Sequence, residues 1–202
     1  MESLPTRIEH NPYGRTPLHL ATLKNDLKEV EQLLNSNAEN INSVDNRGTT
    51  ALHFAAANDF VELTQFLLEK GANINVSNQD GATALFSAVS FGNERIVSIL
   101  LKAGSQVNVQ DINGRSPLHQ VALMVGTVAI AKLLVNSGAR IDLRDKLNQT
   151  PFHTAVKSGS IDLIRFLRSK GAVMTLPDIF GNDPFDLLLN RIQMNMGGFF
   201  KR

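Results

Sequence analysis

Four of the five histidines, His19, His53, His119 and His153, recur along the chain at separations of 34, 66 and 34 residues. Imidazoles bind transition metals and move protons near neutral pH, so a recurring histidine raises metal binding and acid–base catalysis as the first chemistries to test. The spacing argues against both. If each interval corresponds to one or two helical layers, neighbouring histidines lie at least a helix diameter apart, roughly 10 Å, whereas zinc holds nitrogen ligands at about 2 Å. Hydrogen bonding to a helix cap and an adjacent turn is the reading these positions favour. His10 stands alone and completes no triad.

No other catalytic set presents itself. The chain has no cysteine, which excludes a disulfide framework, thiolate metal sites and a cysteine nucleophile together. Serines such as Ser3, Ser36 and Ser87 occupy no nucleophile-elbow context, and no glycine-rich phosphate loop follows a strand. Acid pairs such as Asp59 and Glu62 read as a solvated face. The expectation is a non-enzymatic protein with no metal and no cofactor.

Composition sets the outer bounds. Of 202 residues 43% are hydrophobic, enough for a continuous core, and 20 Lys and Arg stand against 19 Asp and Glu, so no overall field draws the molecule to nucleic acid or an anionic membrane. Residues 1–10 lack the apolar run of a signal peptide, and no later stretch reaches the roughly 18–20 apolar residues of a membrane span. A soluble cytoplasmic protein is expected, with the nucleus or a host-cell cytoplasm also open.

The histidines belong to a longer signal. Tetrads begin at Thr16, Thr50, Thr83, Ser116, Thr150 and Asp183, at separations of 34, 33, 33, 34 and 33 residues, and four of them contain Leu-His or Phe-His. Such a period is one supersecondary unit of a solenoid. Thr, Ser or Asp supplies an N-cap oxygen, and Pro17, Pro117, Pro151 and Pro184 suit the first helical position, where no N–H is needed. Two residues before each tetrad stands Gly14, Gly48, Gly81, Gly114, Asn148 or Gly181. Asp45, Asp111, Asp145 and Asp178 precede four of these by three residues and can hold turn amides with a carboxylate. A second apolar stripe, as in Val61, Leu63, Phe66, Leu67 and Leu68, follows each first helix at helical spacing. Gly71, Gly104, Gly138 and Gly171 then mark helix ends. Each unit is predicted to be turn, helix, helix, in an all-α repeat solenoid with hairpin-like finger turns.

These residues resemble the ankyrin repeat: the Thr-Pro-Leu-His tetrad, the Gly-Ala helix end at Gly71-Ala72, and the hydrophobic-Asn step at Ile41-Asn42, Ile74-Asn75 and Val107-Asn108. The resemblance implies one domain over residues 11–196, with repeats at about 11–44, 45–77, 78–110, 111–144 and 145–177 and a partial capping repeat at 178–196. Residues 1–10 form an N-terminal segment and 197–202 a tail. Asn75 resembles the position that asparagine hydroxylases modify in animal ankyrin repeats. Three departures stand out. Asn37 replaces the glycine of the first helix end, Phe86 replaces histidine in the third tetrad, and the fourth repeat carries an extra residue within Val121–Gly126, lengthening its first helix or its turn.

The resemblance also implies that partners meet a concave surface of finger tips and solvent-facing ends of first helices. On this chain those positions include Tyr13, Arg15, Arg47, Asp80, Phe91, Ile112, Arg115, Met124, Arg144, Lys146, Leu147 and Phe180, with Leu23, Lys24, Lys157 and Ile179 beside them. Seven are cationic, Arg15, Lys24, Arg47, Arg115, Arg144, Lys146 and Lys157, and only Asp80 is anionic, so an acidic protein partner is expected. The large apolar members, centred on Phe91 through Leu147, are expected to anchor it. Inter-repeat packing of Phe91, Ile112, Leu123 and Met124 stays open as the alternative. Nucleic-acid binding is the competing function, weakened because the stacking candidates Tyr13, Phe91 and Phe180 are far apart. A targeting array of a larger protein or a secreted effector is also open.

Overall fold

The computed structural model describes residues 11–124 and 128–189. The predicted N-terminal segment, the tail, the end of the cap from residue 190 and the run 125–127 lie outside the described residues. Five helix pairs follow one another: α1 (Pro17–Leu23) and α2 (Leu27–Asn35), α3 (Ala51–Ala57) and α4 (Val61–Glu69), α5 (Ala84–Ser90) and α6 (Glu94–Lys102), α7 (Pro117–Leu123) and α8 (Val128–Asn136), α9 (Pro151–Ser158) and α10 (Ile161–Ser169). Residues 184–189 are helical too, after a sixth finger turn. Among the described residues there is no β-strand, and no helix is long and apolar enough to cross a membrane.

The first helix of every pair is inner and packs on the inner helices before and after it, while α4, α6, α8 and α10 stack in a second layer. Small residues make that approach possible: Ala21, Ala55, Ala56, Ala88, Ala122 and Ala155 are wholly buried between leucines such as Leu18, Leu52, Leu85 and Leu118. The outer helices contribute Val30, Leu63, Leu67, Ile96, Leu100, Leu134, Leu163 and Leu167 to the same continuous core. No unit buries its own apolar face alone, so the stack is the folding unit.

Each finger is an Asx-stabilised turn. Asp45 Oδ1 accepts from the amides of Arg47 and Thr49 at 2.9 Å each, and the Asp45 amide donates to the Thr49 carbonyl. Asp111, Asp145 and Asp178 repeat the arrangement, and Asn78 performs it with an amide oxygen. Neighbouring fingers are joined by single backbone bonds: Asn46 to the Tyr13 carbonyl, Gln79 to Arg47, Ile112 to Asp80, Lys146 to Asn113 and Ile179 to Leu147, all 2.8–3.0 Å. Gly114 shows why glycine stands two residues before the tetrad. Its φ is +76°, and a Cβ there would sit 2.8 Å from the Lys146 amide nitrogen.

Between each outer helix and the next finger the hydrophobic-Asn step supplies another tie. Asn42 Oδ1 accepts from the Asn73 amide, Asn75 Oδ1 from Gln106 and Asn108 Oδ1 from Arg140, at 2.7–2.9 Å. Asp142 does the same for Val173. Asn75 therefore bridges two repeats.

The extra residue of the fourth repeat does not lengthen the described part of its first helix. Helix α7 has seven residues like α1, α3 and α5, and four residues separate it from α8 where three separate α3 from α4. The chain departs at Met124, which is extended (φ −100°, ψ 138°), whereas the equivalent Phe91 stays near helical geometry (φ −101°, ψ 1°). Val121 is accommodated in the core without exposure.

Candidate partner-binding face

The recurring histidines are committed to structure. The amide of Thr16, Thr50, Ser116 or Thr150 donates to Nδ1 of the histidine three residues on, at 3.0–3.2 Å. An amide N–H can only donate, so the ring proton lies on Nε2. His53 passes it to the Ala82 carbonyl (3.0 Å) and His119 to the Gln149 carbonyl (2.9 Å), each in the finger of the next repeat. Nε2 of His19 and of His153 lacks a hydrogen-bond partner within normal geometry. Burial is the chief cause that holds all four below the ordinary histidine value of 6.5, keeping them neutral at pH 7.

The fingers and the C-terminal ends of the inner helices leave a row of large apolar side chains in solvent. Phe91, at the end of α5, is 67% exposed, Ile112 is 52% exposed and Phe180 69%; Tyr13, Leu123 and Leu147 are also exposed. The alternative in which Phe91 and Ile112 are buried between repeats is thereby overturned. Met124 is half-buried, its methyl group lying against Gly92, 3.7 Å from where a Cβ would sit.

Three of the expected residues, Asp80, Phe91 and Ile112, line one open groove of about 260 Å³ between the third and fourth fingers, with Ala82, Phe86, Ser87, Ser90, Asp111 and Asn113. Phe86 and Asp111 were not among the expected site residues. Phe86 was visible as the break in the Leu-His series, and Asp111 only as a turn residue. Tyr13 and Arg15 lie in the first finger and Phe180 in the last, so neither end contributes to this groove.

The charge pattern differs from a uniformly basic face. Arg47 pairs with Asp80 (3.2 Å), Arg115 with Asp145 (4.0 Å), Lys157 with Asp178 (3.8 Å) and Lys24 with Glu29 (3.6 Å). Counting only Asp80 as anionic omitted the aspartates that organise the fingers, which lie close enough to compensate cations of the same or the preceding repeat. Burial alone would raise the Asp178 carboxyl. The amides of Phe180 and Asn182, the Gln149 side chain and Lys157 together hold it below its ordinary value. Arg15 is stacked: its guanidinium carbon is 4.6 Å from the Tyr13 ring centroid and 5.0 Å from that of Phe54. Arg144 and Lys146 remain exposed beside Leu147.

Comparison with known proteins agrees with this architecture. A family model described as ankyrin repeats (three copies) matches residues 19–111 and 85–178. Over 75 residues, 37% of this chain and 48% of the relative, the sequence is 39% identical to protein phosphatase 1 regulatory subunit 27 of Homo sapiens. Over 80 residues, 39% of this chain and 58% of the relative, it is 33% identical to cyclin-dependent kinase 4 inhibitor B of Homo sapiens. The chain spans about half the length of the curated relatives it matches. With the family matched across most of its length and every described repeat built as turn, helix, helix, the chain belongs to the ankyrin-repeat family.

Proposed function

We propose that this chain is a non-enzymatic protein-binding module that holds a segment of its partner across the fingers and inner-helix ends, anchored between the third and fifth repeats. The observation that carries the reading is the exposed row Phe91, Ile112 and Leu147 beside an open groove. Large apolar groups held in solvent contribute little to the stability of the free protein. Aromatic residues are enriched among those worth about 2 kcal/mol or more once an interface covers them. The names of the two relatives, a phosphatase regulatory subunit and a kinase inhibitor, support a role in regulating another protein.

Any preference for acidic groups belongs to the fifth finger, where Arg144 and Lys146 stand exposed, not to the whole face. Ion pairing of Arg47, Arg115 and Lys157 interrupts the basic track that a nucleic-acid strand would follow.

Affinity capture from a native lysate tests the reading, with the wild-type chain compared to a variant in which Arg47, Phe91 and Arg115 are all changed to alanine. Proteins retained by the first and lost by the second are expected. Identical captured sets from both would place the binding surface elsewhere.

A further inference from the structure

We propose that the groove between the third and fourth fingers receives an arginine side chain of an extended partner segment, its guanidinium directed to the carboxylates of Asp80 and Asp111 and its plane against Phe91. The inference rests on the binding face proposed above and names the chemistry of its central contact.

Size comes first. At about 260 Å³ the groove is smaller than the roughly 300–1,000 Å³ of small-molecule sites, and it is open to solvent, which suits one side chain entering from a bound polypeptide.

Its lining supplies the charge argument. Asp80 and Asp111 line a space otherwise bounded by Phe86, Phe91, Ile112 and small groups, and no lysine or arginine lines it. Of the neighbouring cations, the Arg115 side chain pairs with Asp145 in the next repeat, while Arg47 holds Oδ2 of Asp80 and leaves its Oδ1 for a ligand. Among the described residues no ion pair involves Asp111. Its Oδ1 is used by the amides of Asn113 and Arg115, while Oδ2 meets the Asn113 side chain at 3.5 Å. A groove that joins aromatic faces to an uncompensated carboxylate favours a cation, and a planar guanidinium can stack and pair at once where an ammonium cannot.

The location has a cause in the sequence. In the second and fourth repeats the tetrad histidine ties its helix to the next finger through Nε2. Phe86 occupies that position in the third repeat and has no donor to offer, so an aromatic ring lines the junction beside it.

The test is selection from a library of random phage-displayed peptides with the purified full chain, followed by affinity measurement on synthetic copies of the selected peptides. Selected peptides are expected to share an arginine. Asp111→Asn is expected to weaken them about 3- to 10-fold, less as salt is raised. That substitution keeps the turn acceptor, as Asn78 does in the third finger. Should it unfold the chain, Asp80→Asn removes a carboxylate from the same rim at an exposed side chain, and a loss in the same direction is expected. Peptides without a shared arginine, lost on Phe91→Ala but indifferent to Asp111→Asn, would overturn the inference and leave the binding face standing. Binding that survives both Phe91→Ala and Ile112→Ala would overturn the two together, and failure to enrich any arginine-bearing peptide overturns the inference.

Discussion

Nε2 of His119 lies 2.9 Å from the carbonyl oxygen of Gln149, so a side chain that caps one inner helix also holds the finger of the following repeat. His53 does the same with Ala82. A single residue type thus stabilises its own helix start and the interface to its neighbour, which is why the tetrad recurs without any catalytic demand.

His119→Ala removes the cap interaction, leaves the Ser116 amide without its acceptor and takes from the Gln149 carbonyl one of its two donors, the Asp145 amide remaining. A loss of about 2–4 kcal/mol is expected, read from the urea midpoint. His19→Ala should cost less, about 1–2 kcal/mol, because Nε2 of His19 meets the Thr49 carbonyl only outside normal hydrogen-bond geometry. Equal costs for the two would mean that the inter-repeat bond contributes little.

Acid should destabilise this fold before its carboxylates titrate. All four tetrad histidines are held below 6.5, chiefly by burial, which disfavours the imidazolium. As pH falls below that value the unfolded chain takes up protons first. Stability present above pH 6.5 is therefore lost as pH drops through the depressed folded values. Asp178 acts in the same direction, but only below its ordinary value of 3.8. The melting temperature at about pH 5.5 should lie below that at about pH 7.5. A flat profile over that interval would show that the rings are reached by water.

Two glycines with left-handed backbones should respond differently to alanine. Gly171 has φ +89° and open space where a Cβ would go, so Gly171→Ala meets only the conformational penalty, about 1–2 kcal/mol. Gly114 adds the 2.8 Å approach to the Lys146 amide, which donates to the Asn113 carbonyl and joins the two fingers. Gly114→Ala should cost at least about 1 kcal/mol more, measured by denaturant unfolding of both variants.

What the sequence made legible follows from how local each feature is. Caps, finger turns and helix ends depend on residues within a few positions of one another, so the tetrads and the apolar stripes after them located the five helix pairs, and Asp45 was legible as a turn holder from its distance to Gly48. Exposure of Phe91 and Ile112 was half legible: the repeat suggests a side for each position, but packing between repeats stayed open until the stack was built. The charge of the face was not. Arg47 meets Asp80 across 33 residues and Arg115 meets Asp145 across 30, and both pairings depend on how one finger stacks on the next. The groove at Phe86 was half legible: the missing histidine was plain, but that Asp111 would flank the same space required the fold.

Phe91 and Leu85 are six residues apart and should separate binding from folding. Leu85 is wholly buried on α5, and Leu85→Ala is expected to cost about 2–5 kcal/mol of stability. Phe91, 67% exposed at the end of the same helix, makes so little of its surface unavailable to water that Phe91→Ala should leave the melting midpoint within about 0.5 kcal/mol of wild type. Its cost should appear in complex formation, as a loss of about 2 kcal/mol or roughly 30-fold in Kd for the captured partner. If Phe91→Ala instead destabilises the free chain as much as Leu85→Ala does, the ring is a packing residue, and the apolar row is part of the stack instead of a surface kept for a partner.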